Sequence, residues 1–155
     1  GSDYYFLLGL VGCYVPVVRT AEFLPLFRFV KSAIEYVLVG YAHGVYRGGL
    51  AVHMAKVAMG GNLGMHLNLG QVPRRDVERA DVLLFSESAG RFIVTVDPGK
   101  RAAFEELFEG SPCGCIGTVT EIPDFVVQGI ESETIIRVPL ADLKMAWKKT
   151  FGELI

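Results

Sequence analysis

Three strand signals follow one another in the last part of the chain, and that succession limits the architecture more than any other feature. Cys113 to Thr120, Phe125 to Gly129 and Thr134 to Val138 read as strands, with turns at Pro123-Asp124 and Glu131-Ser132. Leu140 to Lys149 reads as a closing helix. Upstream, helix and strand alternate. Tyr4 to Leu8 reads as a short helix and the glycine- and proline-bearing stretch after it as a connector. From Ala21 to about Val39, apolar Phe23, Leu26, Phe27, Val30, Ile34 and Val37 recur every three or four residues, which predicts an amphipathic helix with Pro25 in its first turn and Gly40 at its close. Tyr41 to Tyr46 reads as extended, and Gly48-Gly49 lead into a helix over Leu50 to Met59 whose end Gly60-Gly61 mark. Gly64 to Leu69 alternates Met65, Leu67 and Leu69 against His66 and Asn68, the period of a strand with one buried face. A connector and a short helix follow over Arg74 to Asp81, then a strand over Arg91 to Val96 and a helix over Lys100 to Phe108. Strict alternation would build a doubly wound parallel sheet. Consecutive late strands predict instead an α+β fold in which helices cover a mixed β-sheet.

A chain of 155 residues falls within the usual size of one domain. The expectation is a single domain over 1–155, with 1–20 as a leading segment that continues from a preceding domain and 21–155 as the body. Hydrophobic residues at 51% against charged residues at 21% supply enough apolar surface for a core and leave no compositional case for disorder. Fifteen basic against 17 acidic side chains give a net charge of -2, which argues against nucleic acid as a partner, because phosphate binding needs clustered positive charge. A mean hydropathy of +0.38 points to apolar surface that another domain or subunit covers. No stretch is apolar for the roughly 18 residues that a membrane helix needs, and the N-terminus lacks a signal-peptide pattern, so the reading is a cytoplasmic protein without a membrane partner. Cys13, Cys113 and Cys115 form an odd set without CxxC spacing. They indicate neither a disulfide framework nor a structural zinc site and read as small buried hydrophobes, with Cys113 and Cys115 on one face of a strand.

Two segments could carry chemistry. In Ala42-His43-Gly44-Val45-Tyr46-Arg47-Gly48-Gly49-Leu50, His43 precedes paired glycines at a strand-to-helix turn, where backbone N–H groups and the helix dipole can receive an anion. The same glycines also serve simply to supply positive φ and close approach. Leu84-Phe85-Ser86-Glu87-Ser88-Ala89-Gly90-Arg91-Phe92 gathers two hydroxyls, a carboxylate and a guanidinium just before a hydrophobic strand. Such groups can converge on a phosphate or carboxylate, or form a hydrogen-bonded loop in which Glu87 and Arg91 pair with each other. His53, inside a helix, and His66, inside a strand, read as packed or exposed, without a metal-ligand or nucleophile companion. No GxxxxGK[ST] occurs, so a nucleotide would not be held by a P-loop, and no residue set composes a catalytic triad or a metal site. The ligand-binding candidates are His43, Gly48, Gly49, Ser86, Glu87, Ser88 and Arg91.

In order and spacing, Gly48-Gly49-Leu50-Ala51-Val52, the Leu84 to Phe92 segment, Ile116-Gly117-Thr118-Val119 and Leu143-Lys144-Met145-Ala146-Trp147 resemble the phosphoribosylformylglycinamidine synthase family, within the aminoimidazole ribonucleotide synthetase superfamily. The opening Gly1-Ser2-Asp3-Tyr4-Tyr5 is similar to the Gly-Ser-Glu-Tyr-like entry into that family's last domain. The resemblance implies the fold of the C-terminal domain of aminoimidazole ribonucleotide synthetase. It also implies a place in the ligase that activates the amide oxygen of formylglycinamide ribonucleotide with ATP and lets ammonia attack that carbon, giving the amidine. ATP and Mg2+ are then held mainly by a preceding ATP-binding domain, a glutaminase subunit supplies ammonia, a small accessory subunit joins, and a homodimer is compatible with the assembly. The isolated chain would be inactive. In the family's internal repeat the Glu-Ser loop of the first half contacts substrate, and its equivalent in the second half faces a related or auxiliary nucleotide site. Glu87, Ser88 and Arg91 match that loop.

The chain departs from the family where His-Asp-Val-Ser-Asp-Gly-Gly-Leu becomes His43-Gly44-Val45-Tyr46-Arg47-Gly48-Gly49-Leu50. Both carboxylates are gone and Arg47 reverses the charge of one, which a metal-orienting role does not survive. Two alternatives follow: an interaction or scaffold domain with a decayed site, or the equivalent domain of another superfamily member, such as aminoimidazole ribonucleotide synthetase or a selenophosphate, thiamine-phosphate or hydrogenase-maturation relative. Phe85-Ser86-Glu87-Ser88 and the Trp147 ending favour the synthase.

Overall fold

The structure, a computed structural model, describes residues 2–13 and 15–149. Gly1 of the opening motif lies outside them. In chain order the elements are α1 (Asp3–Leu7), α2 (Thr20–Glu35), β1 (Tyr41–Val45), α3 (Gly49–Gly61), β2 (Gly64–Asn68), α4 (Ala80–Phe85), β3 (Arg91–Thr95), α5 (Arg101–Leu107), β4 (Gly117–Thr120), β5 (Asp124–Gln128), β6 (Thr134–Pro139) and α6 (Leu140–Lys149). Single 3-10 turns at Leu69–Gln71 and Pro98–Lys100 precede a connector and α5. The α+β class and the mixed sheet expected from the strand succession are both present. The chain forms two compact units, one from Gly1–His53 with Phe85–Cys113 and one from Met54–Leu84 with Gly114–Ile155.

In the first unit β1 and β3 pair antiparallel, with His43 opposite Ile93, Gly44 opposite Phe92 and Val45 opposite Arg91. The end of β1 therefore meets the start of β3. That register sets the turn after Val45 beside the loop before Arg91, so the two chemistry-bearing segments meet. The core of the unit packs Val30 and Ala33 of α2 against Phe104 and Phe108, with Leu26, Phe29, Phe92 and Val94 around them. Phe104 and Phe108 stack at 4.4 Å.

Helix α2 ends earlier than the periodicity predicts. Val37 takes φ +54, and the Leu38 N–H reaches back to the Ala33 carbonyl at 2.8 Å, a left-handed closure of the kind glycine more often makes. Gly40 stands instead just before β1, donating to the Thr95 carbonyl at 2.9 Å. Because the helix begins at Thr20, Pro25 falls inside it and not in its first turn, so the Ala21 carbonyl has no N–H donor four residues on.

In the second unit the sheet order is β4-β2-β5-β6, with β2 and β5 parallel and both outer pairs antiparallel. Phe125, Val126 and Val127 of β5 are all buried, as suits an interior strand covered on both faces. In β2, Met65 and Leu67 are buried while His66 is exposed, as the alternation requires. Helix α3 runs through Gly60-Gly61. Gly60-Gly61 are thus its last two residues, two beyond the expected Met59, and the left-handed residue that follows is Asn62, at φ +53. The cysteine reading is corrected: Cys13, Cys113 and Cys115 are all exposed. Cys113 and Cys115 precede β4, because Gly114 passes so close to the Gln71 carbonyl that a Cβ would lie 2.6 Å from its oxygen. Pairing with β2 begins only where the Ile116 carbonyl accepts from the Asn68 N–H.

Candidate functional site

Gly48 and Gly49 take φ +92 and +73, conformations that side-chain-bearing residues avoid. The steric reason for the paired glycines is therefore present. So is a use for the exposed donors: the Gly48 N–H donates to Glu87 Oε1 at 2.9 Å. The same oxygen accepts from the Asp3 N–H at 3.0 Å. Glu87 thus brings its own carboxylate to the start of α3, the place where an external anion would sit.

Arg47 is engaged by α1. Its Nε lies 2.8 and 2.9 Å from the two Asp3 oxygens, and its Nη2 lies 2.7 Å from Oδ1. That hydrogen-bonded pairing, with the Asp3 charge behind it and Glu87 adding a smaller share, raises the Arg47 guanidinium above its ordinary pKa. Tyr4 stacks on Phe85 at 4.8 Å. The short leading helix is thereby tied to both the glycine turn and the Ser86–Arg91 loop.

Glu87 and Arg91 do not pair with each other. Arg91 turns back on its own loop, donating from Nη2 to the Ser86 carbonyl and from Nε to the Ser88 carbonyl at 3.2 Å. Burial holds its guanidinium below the ordinary value. The Ser86 and Ser88 hydroxyls lie 3.4 Å apart, and Gly90 takes φ +82 with Phe23 packed against it. Arg91 is therefore a brace that sets the loop's shape, and the Ser88 hydroxyl is its exposed polar group.

Spacing along the chain conceals one constellation. His53 is 4% exposed, and its Nδ1 lies 2.7 Å from His43 Nε2. The Tyr46 N–H points at His53 Nε2 from 3.0 Å, while the Arg47 carbonyl is 3.2 Å from the same nitrogen. The Nε2 nitrogen thus faces a backbone N–H and a backbone carbonyl together, while Nδ1 faces the other imidazole. On its other side His43 Nδ1 lies 3.3 Å from Tyr41 Oη. Both histidines are thus committed to holding the turn. A ten-residue separation across a strand, a turn and a helix gives no local motif; the extended His43 and the first turns of α3 meet only once the glycines reverse the chain.

Among the described residues no group of three or more His, Cys, Asp or Glu converges to hold a metal. With its N–H on Glu87 and its cation on Asp3, the glycine turn does not fit a magnesium ion. No helix of the described residues is long and apolar enough to cross a membrane.

The family model described as AIR synthase related protein, C-terminal domain, matches residues 14–130, well over half of the chain. The chain belongs to this family. Among solved structures, this AIR synthase related domain is similar to phosphoribosylformylglycinamidine synthase II from Thermotoga maritima at 25% identity and a TM-score of 0.74, covering 83% of this chain and 22% of that one. PurL from T. maritima complexed with ATP matches at 26% identity and a TM-score of 0.68, over 77% of this chain and 21% of that chain. A HypE-HypF complex matches at 14% identity and a TM-score of 0.64, over 88% and 47%, a likeness of fold alone. The chain thus spans about a fifth of the synthase chains and under half of the hydrogenase-maturation chain it resembles.

Proposed function

We propose that this AIR synthase related domain is the C-terminal part of a phosphoribosylformylglycinamidine synthase, the ligase that converts formylglycinamide ribonucleotide, ATP and ammonia to the amidine. What carries the reading is the Ser86-Glu87-Ser88-x-x-Arg91 loop, held rigid at the mouth of β3 by Arg91 and joined through Glu87 to the turn at the start of α3. The higher identity to the T. maritima synthase than to the HypE chain supports the same choice. When bound in the complete enzyme, ATP with Mg2+ supplies the phosphoryl group that activates the amide oxygen. This chain's share is to position: Ser86, Ser88 and the loop backbone offer donors at one wall of a cleft that the preceding domain completes, while His43, Gly48 and Gly49 shape that wall. A ligase of this kind works by placing charge-stabilising donors and needs little covalent help from the protein.

Exposed Phe6, Leu7, Val11 and Val15 in the leading segment support a covering partner, which the reading identifies as the preceding ATP-binding domain, in a cytoplasmic assembly with a glutaminase and a small accessory subunit. The test is to assay the 155-residue chain with ATP, ammonia and formylglycinamide ribonucleotide, alone and beside the preceding domains of its parent protein. Turnover is expected only in the second case. Robust activity of the chain alone, or none in the reconstituted pair, contradicts the proposal.

A second reading, a docking domain that has lost its chemistry, draws on the turn itself, where Asp3 neutralises Arg47 and the Tyr46 ring covers Gly44. Arg91→Ala in the assembled enzyme separates the two. Lost substrate affinity or turnover supports the binding wall; unchanged kinetics supports the docking role.

A further inference from the structure

The second unit carries a cleft of about 470 Å3 between the latter half of α3 and helix α6, lined by Lys56, Met59, Gly60, Lys144, Trp147 and Lys148. Three of those six side chains are ammonium-bearing and none is acidic. Among the described residues no carboxylate forms an ion pair with Lys56, Lys144 or Lys148. Converging cations without a counter-ion raise the local concentration of anions. The aromatic wall is Trp147, half exposed, with Lys56 Nζ over its ring at 5.0 Å from the centroid. Lys144 reaches across to Asn62 Oδ1 at 2.5 Å, fixing α6 against the end of α3. At Gly60 an added Cβ would meet nothing within 4 Å, so one side of the cleft is open backbone.

An aromatic face ringed by ammonium groups, in a volume within the range of small-molecule sites, suits a ligand that joins a flat ring to a multiply charged anion. We propose that this cleft binds a nucleoside phosphate, the base stacked on Trp147 and the phosphate shared by Lys56, Lys144 and Lys148. Lys56 leaves the indole face as the base arrives and follows the phosphate, exchanging a cation–π contact for an ion pair. All six lining residues belong to the second unit, and none is among the candidates of the first, so the inference stands or falls apart from the proposed synthase role.

Trp147 is the chain's single tryptophan, which makes its fluorescence a direct reporter. Titration with AMP and ADP, excited on the red edge of the indole band, is expected to give saturable quenching, tighter for ADP because it carries more charge. Adenosine and inorganic phosphate, each offering half of the recognition, are expected to bind at least about tenfold more weakly. Lys144→Gln with Lys148→Gln is expected to weaken ADP binding about tenfold or more. Gly60→Leu is expected to fill the cleft and abolish binding with the circular dichroism spectrum unchanged, since leucine is a better helix former than glycine. Absence of saturable quenching by either nucleotide overturns the proposal. So does equal binding of inorganic phosphate, equal binding of an acidic polypeptide, or nucleotide affinity that survives Gly60→Leu.

Discussion

His53 Nδ1 lies 2.7 Å from His43 Nε2, and through that contact a buried side chain of α3 is joined to the exposed edge of β1. His53 also accepts the Tyr46 N–H at 3.0 Å, so one ring holds both ends of the turn. Replacing it by alanine would strand a backbone donor, costing about 1–3 kcal/mol, and leave a void that adds to the loss. The expected outcome for His53→Ala is destabilisation by roughly 2–4 kcal/mol, read from urea unfolding. A change below about 0.5 kcal/mol, the size of an ordinary surface effect, would mean the pair is incidental.

Glu87 serves two backbone donors with one oxygen, the N–H groups of Gly48 and Asp3. Glu87→Ala removes that acceptor, so the start of α3 loses its cap and α1 loses one of its tethers, keeping the Asp3–Arg47 pair and the Tyr4–Phe85 stack. The expected cost is about 1–3 kcal/mol, with faster amide exchange at Gly48 and earlier proteolytic cleavage between α1 and α2. Glu87→Gln keeps an accepting oxygen and is expected to recover most of the stability. Equal behaviour of the two variants would show that charge, not the acceptor, matters here.

The sequence disclosed elements far better than it disclosed partners. Helix α6 falls on Leu140–Lys149 as expected, and β5 and β6 sit within a residue of the strands read for them, whereas β4 covers only the Gly117–Thr120 end of the strand expected from Cys113. Boundaries failed where a residue other than glycine took a left-handed conformation, as at Val37 and Asn62, because no composition rule marks a strained valine. Burial failed at the cysteines, since a thiol's usual preference for the core says nothing about a segment whose backbone is pressed against Gln71. At the site, Gly48, Gly49, Glu87 and Arg91 were visible as types in a pattern. Their partners were not: the Asp3 contact spans 84 residues and the His43–His53 contact crosses a chain reversal, and both depend on the β1–β3 register.

Gly64 opens β2, paired with Thr120 of β4. A Cβ there would press on the Ile122 carbonyl and lie 2.6 Å from Thr120 Oγ1 and 2.8 Å from the Asp124 carbonyl. Two of those three atoms are backbone and cannot swing aside. Gly64→Ala is therefore expected to destabilise by about 1–3 kcal/mol, the usual cost of overpacking, despite alanine's smaller chain entropy. Thermal unfolding followed by far-ultraviolet circular dichroism would reveal it as a lowered midpoint, and an unchanged or raised midpoint would contradict the close approach.

Gly44 and Tyr46 are coupled across β1. A Cβ at Gly44 would collide with the Oη and Cζ of Tyr46 and lie 3.0 Å from its Cε2, so the bare backbone at 44 is what lets the ring fold over it. The ring also meets His53 edge-on at 5.6 Å. Because Tyr46 is 65% exposed, it can move away when Gly44 gains a side chain, at the expense of the His53 contact. Gly44→Ala is then expected to cost about 0.5–1.5 kcal/mol, the usual worth of an aromatic pair. Tyr46→Ser removes that contact in advance, so Gly44→Ala introduced into Tyr46→Ser should cost little more. The double-mutant cycle, measured by urea unfolding, is expected to show a coupling of about 0.5–1.5 kcal/mol. Additive effects would show that the two positions are independent and that the ring does not rest on the bare backbone at Gly44.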